Sequence, residues 1–145
     1  MDDARKGSEM NLGFPLYQGV TLADFAGATQ VLSFAEGLRP FWVAQHTGPI
    51  LTTEGVAVLP NYSFNYCPRI DVLFVPGGGP GGVIWAMCDM CYRDFVKRAG
   101  LLAKWIGSVC TGAFPVAAAN LFRDVEVTTY WNQIDNLTLL GNKQV

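Results

Sequence analysis

Asp71-Val72-Leu73-Phe74-Val75-Pro76-Gly77-Gly78-Gly79-Pro80-Gly81-Gly82 decides the fold. Val72 to Val75 form an unbroken apolar run after Asp71, and such a run reads as a strand buried on both faces, as in a parallel sheet covered by helices. Pro76 and the glycines end that strand and open a loop at its carboxyl end. Working outward, Trp105 to Val109 is a second buried strand, and Thr111 to Ala119 is small and apolar enough for a closely packed helix. Pro115 falls near the first turn of that helix, where its missing N–H costs little. Between these strands a helix is expected from about Asp89, a suitable N-cap, to Ala99, with Gly100 beyond its end.

Towards the amino terminus, Leu12 to Tyr17 reads as a short buried strand. Leu22, Phe25, Ala28, Leu32 and Ala35 then recur at helical spacing, with Gly37 as the stop. Pro40 to Ala44 is a further strand. Ile50–Thr53 and Val56–Leu59, separated by Glu54-Gly55, predict a hairpin, and Val125–Thr128 predicts one more short strand. Strands alternating with helices predict an α/β, flavodoxin-like doubly wound sandwich: a mostly parallel sheet, right-handed crossovers and helices on both faces. No linker divides residues 1–145, so a single domain is expected.

Half of the 145 residues are apolar, 15% are charged and the formal net charge is −2. That composition suits a buried core and offers no basic stripe for nucleic acid. No apolar run reaches the roughly 18–20 residues of a membrane span. Met1 to Lys6 lead into no signal-peptide core, and a soluble cytoplasmic protein is expected. In a reducing compartment Cys67, Cys88, Cys91 and Cys110 are thiols rather than a disulfide scaffold, and the sequons at Asn61 and Asn136 carry no meaning.

Ligands of open α/β sheets bind beyond the carboxyl ends of the strands. Asp24, the glycine loop and Cys110 all follow strands, and parallel pairing puts them on one edge. Cys110 passes from strand to helix within one residue, beside the small residues Gly107, Ser108 and Gly112. Helix N–H groups and the dipole there favour thiolate. An inert core thiol is the competing reading, and the elbow and loop weigh against it. Gly77, Gly79 and Gly82 fit a G-x-G-x-x-G pattern, but after a later strand and without its acidic partner. No Lys-Ser/Thr pair follows for a phosphate loop. Gly77-Gly78-Gly79 is read instead as an anion cradle, with the Gly77 and Gly78 N–H groups aimed at charge developing beside Cys110. Asp24 is either a helix-start residue or a carboxyl group held in the cleft, where a raised pKa would suit acid–base work. His46 reads as a surface residue, and Cys88-x-x-Cys91 lacks the second pair of a metal site. Trp42, Trp85, Trp105 and Trp131 read as core or pocket walls.

Val20-Thr21-Leu22-Ala23-Asp24-Phe25-Ala26-Gly27, Asp71 to Gly78, Ser108-Val109-Cys110-Thr111-Gly112-Ala113 and Val127-Thr128-Thr129-Tyr130-Trp131 together resemble the ThiJ/PfpI family, within the class I glutamine amidotransferase-like superfamily. More narrowly they resemble its isonitrile hydratase branch. The resemblance implies a homodimer acting on a small-molecule substrate, without metal or organic cofactor. It implies Cys110 as nucleophile, Thr111 as its neighbour in the site and Asp24 as the acidic partner. The implied reaction adds water to an isonitrile, giving an N-substituted formamide through a Cys110 thioimidate. Tyr130 stands where the family commonly has histidine, which weighs against peptidase-like members. Family members typically continue beyond the Trp131 block, so a C-terminally shortened domain is expected. The same fold serves transcription regulators as a ligand-sensing module, and a redox-sensing protein using Cys110 is a third reading.

Overall fold

A computed structural model describes residues 9–141 and 143–144, so Met1 to Lys6 lie outside the described residues. The chain runs β1 (Met10–Pro15), α1 (Leu22–Leu32), β2 (Leu38–Ala44), β3 (Ile50–Leu51), β4 (Ala57–Val58), β5 (Tyr62–Ser63) and β6 (Val72–Val75). It continues through α2 (Pro80–Cys88), α3 (Met90–Leu102), β7 (Trp105–Ser108), a 3₁₀ turn at Cys110–Gly112, α4 (Ala113–Ala118) and β8 (Glu126–Val127). A second 3₁₀ turn (Trp131–Gln133), α5 (Ile134–Thr138) and β9 (Lys143–Gln144) complete it.

The main sheet has the order β5-β2-β1-β6-β7, and its pairings are all parallel. From β1 the chain steps outward to β2, then returns across β1 to β6 and steps the other way to β7. Right-handed crossovers in opposite directions place α1 on one face and α2 and α3 on the other. The doubly wound α/β architecture expected from the alternation of strands and helices is the one the chain adopts. The expected hairpin also forms, with Ile50 opposite Val58 and Leu51 opposite Ala57.

Side chains of the central strands fill the core. Leu12, Phe14, Leu73 and Val75 are fully buried, together with Phe25 from α1 and Tyr92 and Val96 from α3. Two tyrosines need polar partners at that depth. Tyr17 donates to the Pro76 carbonyl at 3.1 Å and Tyr92 to the Pro15 carbonyl at 2.9 Å, while their rings meet edge to face at 5.3 Å. Phe64 stacks on Phe95 at 4.0 Å, tying β5 to α3.

Several expectations need correction. The loop Gly77–Gly82 is half helix: α2 starts at Pro80, whose fixed φ suits the first helical position. Gly82 lies inside that helix because a Cβ there would sit 2.7 Å from the Gln18 carbonyl. Gly100 is likewise inside α3 rather than beyond it, since a Cβ would meet Leu121 Cδ1 at 2.4 Å. Close packing outweighs the propensity cost at both positions. β7 is not buried on both faces: it is an edge strand among the described residues, and Trp105 is exposed. Trp131 is exposed as well and walls no cavity near Cys110, whereas Trp42 packs edge to face on Phe25 and donates to Thr29 Oγ1 at 2.9 Å. β8 forms, but it pairs with β9 rather than joining the main sheet.

Two glycine substitutions read out these constraints. A Cβ at Gly27 in α1 meets nothing within 4 Å, so Gly27→Ala should stabilise the fold by about 0.5–1 kcal/mol through helix propensity. A Cβ at Gly112 would sit 2.1 Å from the Val75 carbonyl oxygen, so Gly112→Ala should cost at least about 1–3 kcal/mol. Urea unfolding of the two variants beside the unsubstituted chain checks both signs.

Candidate active site

The strand order reverses between β1 and β6, and in open α/β sheets ligands bind near such a point, beyond the carboxyl ends of the strands. α1 follows β1 and carries Asp24 in its first turn. Gly77 follows β6, and Cys110 follows β7 after Val109, whose N–H still bonds the Val75 carbonyl at 3.2 Å. Sheet topology therefore brings together groups separated by more than 80 residues of chain, from Asp24 to Cys110.

Cys110 has φ 54°, a left-handed conformation rare for a residue with a Cβ. Such a residue stores roughly 1–3 kcal/mol, held in place by its surroundings. Those surroundings are visible: Thr129 Oγ1 donates to the Cys110 carbonyl at 2.7 Å, and Gly112 allows the next turn to lie against Val75 and Pro76. The elbow places the thiol beside Asp24, close enough that each group shifts the other's titration.

The Asp24 carboxyl is half-buried and accepts the Gly77 N–H at Oδ2, 3.1 Å away. Desolvation pushes its pKa above the usual carboxylate range, and the Gly77 N–H and the neighbouring Cys110 thiol only partly oppose this. Nearby Glu54 adds to the upward shift. Burial also raises the Cys110 thiol, opposed by the Thr111 N–H and reinforced by the Asp24 charge. The expected thiolate bias is thus overturned. A three-residue 3₁₀ turn leading into a six-residue helix presents a weak dipole, and desolvation with an adjacent carboxylate outweighs it.

The glycine loop is built differently from the expected anion cradle. Gly77 N–H is committed to Asp24, Gly78 N–H to Thr111 Oγ1 at 3.1 Å, and Gly79 N–H to the Gly19 carbonyl at 2.9 Å and Thr53 Oγ1 at 3.2 Å. The loop orients the side chains of the site rather than aiming free donors beside the sulfur. Thr111 answers by donating to the Gly78 carbonyl at 3.2 Å. Glycine is required at position 77, where a Cβ would fall 2.7 Å from Asp24 Oδ2 and 2.8 Å from the Thr111 nitrogen.

Cys110 opens on a cavity of about 600 Å³. Val83, Ile84 and Met87 of α2 and Phe114 of α4 give it an apolar wall, and Tyr130, Asn132, Gln133 and Asn136 give it a polar rim. Gly78 and Thr111 also face this space. His46 lies elsewhere, exposed and lining a separate cleft with Asn61 and Tyr66. Cys88 and Cys91 are exposed free thiols at the α2–α3 junction. No cluster of three or more His, Cys, Asp or Glu side chains able to hold a metal occurs among the described residues. Among them, too, no helix is long and apolar enough to cross a membrane.

Sequence reading missed Thr129, Tyr17 and Glu54 as supports of the site. Thr129 and Tyr17 act through a hydroxyl on a backbone carbonyl, and Glu54 projects from a hairpin distant in sequence, so no local pattern marks them.

The chain is 32% identical over 132 residues to the isonitrile hydratase of Pseudomonas putida, covering 91% of this chain and 57% of the hydratase. The crystal structure of a ThiJ/PfpI family protein from Pseudomonas syringae superposes with a TM-score of 0.88 at 30% identity, covering 99% of this chain and 62% of that one. The HTH-type transcriptional regulator GbdR of Pseudomonas aeruginosa is 23% identical over 83% of this chain and 34% of the regulator. Residues 12–145 match the DJ-1/PfpI family description, and the chain belongs to the DJ-1/PfpI (ThiJ) family.

Proposed function

We propose that the protein adds water to an isonitrile to give an N-substituted formamide, with Cys110 as nucleophile and Asp24 as proton carrier. The observation that carries this reading is the placement of Asp24, held by the Gly77 N–H, beside Cys110, which lines a largely apolar cavity. Likeness to a hydratase of the same family supports it.

An isonitrile is neutral and carries its reactive carbon at the end of a hydrocarbon group. The apolar wall suits that group, leaving the carbon at the sulfur. The thiol proton passes to the Asp24 carboxylate as sulfur bonds to the terminal carbon, and Asp24 returns it to the same carbon. The product is a thioimidate, R–N=CH–S–Cys110. Water then adds across the C=N bond, its hydroxyl to carbon and its proton to nitrogen. Collapse of that adduct breaks the C–S bond, restores the thiol proton through Asp24 and releases R–NH–CHO. Atoms balance, and no oxidant or reductant is consumed. Thr111 fixes the Gly78 end of the loop, and its N–H favours the ionised sulfur.

Formamide release from an alkyl or aryl isonitrile is the direct assay. Cys110→Ala should abolish turnover, and Asp24→Asn should lower kcat by roughly 10²–10⁴-fold. Gly77→Ala should act like Asp24→Asn by displacing the carboxyl group, at unchanged cavity volume. Full turnover by Cys110→Ala would sink covalent catalysis. If the folded chain produced no formamide but bound small organic ligands in the cavity, the sensing role suggested by the regulator relative would replace hydration.

The pH profile follows from the two raised values. The reactive state holds one proton on the Cys110–Asp24 pair, so activity needs Asp24 ionised and the thiol protonated. The kcat/KM profile should rise as pH climbs through the elevated carboxyl value and fall only as the thiol ionises, above its ordinary 9.0. A decline already present at pH 8 would contradict this assignment.

A further inference from the structure

The β3–β4 hairpin lies outside the reacting groups, yet it is stitched to the loops that hold them. Gly19 N–H donates to the Leu51 carbonyl at 2.8 Å, and Thr53 N–H donates to the Val20 carbonyl at 3.0 Å. Thr53 Oγ1 donates to the Gly19 carbonyl at 2.8 Å and accepts from Gly79 N–H at 3.2 Å. One residue further, Glu54 Oε2 accepts the Leu22 N–H at 3.0 Å. Leu22 is the first residue of α1, and its N-cap residue, Thr21, makes no side-chain capping bond. Glu54 thus supplies from a distant turn the cap that α1 lacks locally.

Asp24 sits in the same first turn. Helix N–H groups and the dipole would ordinarily favour its ionised form. Glu54 is already there as an anion, since the Leu22 hydrogen bond holds its own carboxyl below the usual range. Two carboxylates share one positive helix end, and the exposed one takes the hydrogen bond. Among the described residues the ionisable groups acting with Asp24 are Cys110 from the elbow, Glu54 from the hairpin and Tyr17 from the end of β1. Tyr17 is buried and neutral, with its pKa raised by desolvation, and Cys110 is the reaction partner. Glu54 is the charged group left to tune Asp24 from outside the site.

Resting on the assignment of Asp24 as proton carrier, we propose that Glu54 is a positioning residue of the Cys110 site: bound to the Leu22 N–H, it fixes the start of α1 and counters the helix end that would otherwise hold Asp24 as an anion. The β3–β4 turn thereby becomes part of the catalytic apparatus without touching substrate.

The test needs no substrate, so its failure is separable from failure of the hydration assay. Carboxyl ¹³C resonances are followed against pH in the full chain and in Glu54→Gln, with Asp24 assigned through Asp24→Asn. Glutamine still accepts the Leu22 N–H but carries no charge, so the cap persists and the field does not. The Asp24 midpoint should move to lower pH in Glu54→Gln. At the original midpoint the ratio of ionised to neutral Asp24 should rise roughly two- to fivefold. Raising salt from about 0.05 M to 1 M should move the unsubstituted chain the same way, because Glu54 is exposed, and should leave Glu54→Gln nearly unmoved. Coincident Asp24 midpoints in the two proteins overturn the proposal. If Glu54→Gln does not fold, the salt series on the unsubstituted chain decides: an unmoved midpoint overturns it, and a downward one supports it.

Discussion

The pairing of β1 with β6 is the contact on which the rest depends. Leu12 and Gly13 lie opposite Val72 and Leu73, and Gly13 is glycine because a Cβ there would meet Ile70 Cδ1 at 2.6 Å. That close approach sets two strands side by side whose following segments leave in opposite directions. The segments that follow them are bonded to each other, Thr21 N–H to the Gly77 carbonyl at 3.0 Å and Gly79 N–H to the Gly19 carbonyl at 2.9 Å. Asp24 meets Gly77 there through the Gly77 N–H, and Cys110 joins them from the end of β7, the neighbour of β6. Separately, none of them is an unusual residue; the topology makes them a site.

Much of this was legible along the chain. The apolar run at Asp71–Val75, the helical spacing from Leu22 and the turn at Glu54-Gly55 each follow from short-range physics, and each element formed where its pattern lies. Glycine misled the reading where its cause was tertiary. Gly82 and Gly100 read as loop or stop signals, yet both lie inside helices, and Gln18 and Leu121 pressing against them leave no room for a Cβ. Periodicity says which face of an element is apolar, but not how near the neighbouring backbone comes. The exposed Trp105 teaches the same lesson, for an edge strand and a central strand carry similar apolar runs.

The site was legible in its members and less so in its electrostatics. Position at a strand end marked Asp24 and Cys110, and the small residues around Cys110 marked the sharp turn realised at φ 54°. What position could not supply was the balance of opposing effects on the thiol. A helix end is worth about 0.3–1 kcal/mol at an exposed site and weakens when the helix is short. Burial beside a carboxyl group acts against it and is the larger influence on Cys110. The number of turns in a helix and the depth of a side chain are properties of the folded chain. The sign of the shift therefore emerges only there.

The committed N–H groups of the glycine loop bear on the chemistry in the same way. A cradle of free donors stabilises an oxyanion, and acyl transfer needs one because charge accumulates on a carbonyl oxygen. Here Gly77 and Gly78 spend their donors on Asp24 and Thr111. A loop so arranged favours proton placement over anion stabilisation. Addition to an isonitrile has the matching demand, since its carbon must receive a proton as the C–S bond forms and no oxyanion arises in that step. On the proposed reaction, the donors that would serve an acyl-transfer enzyme instead hold the carboxyl group that carries the proton.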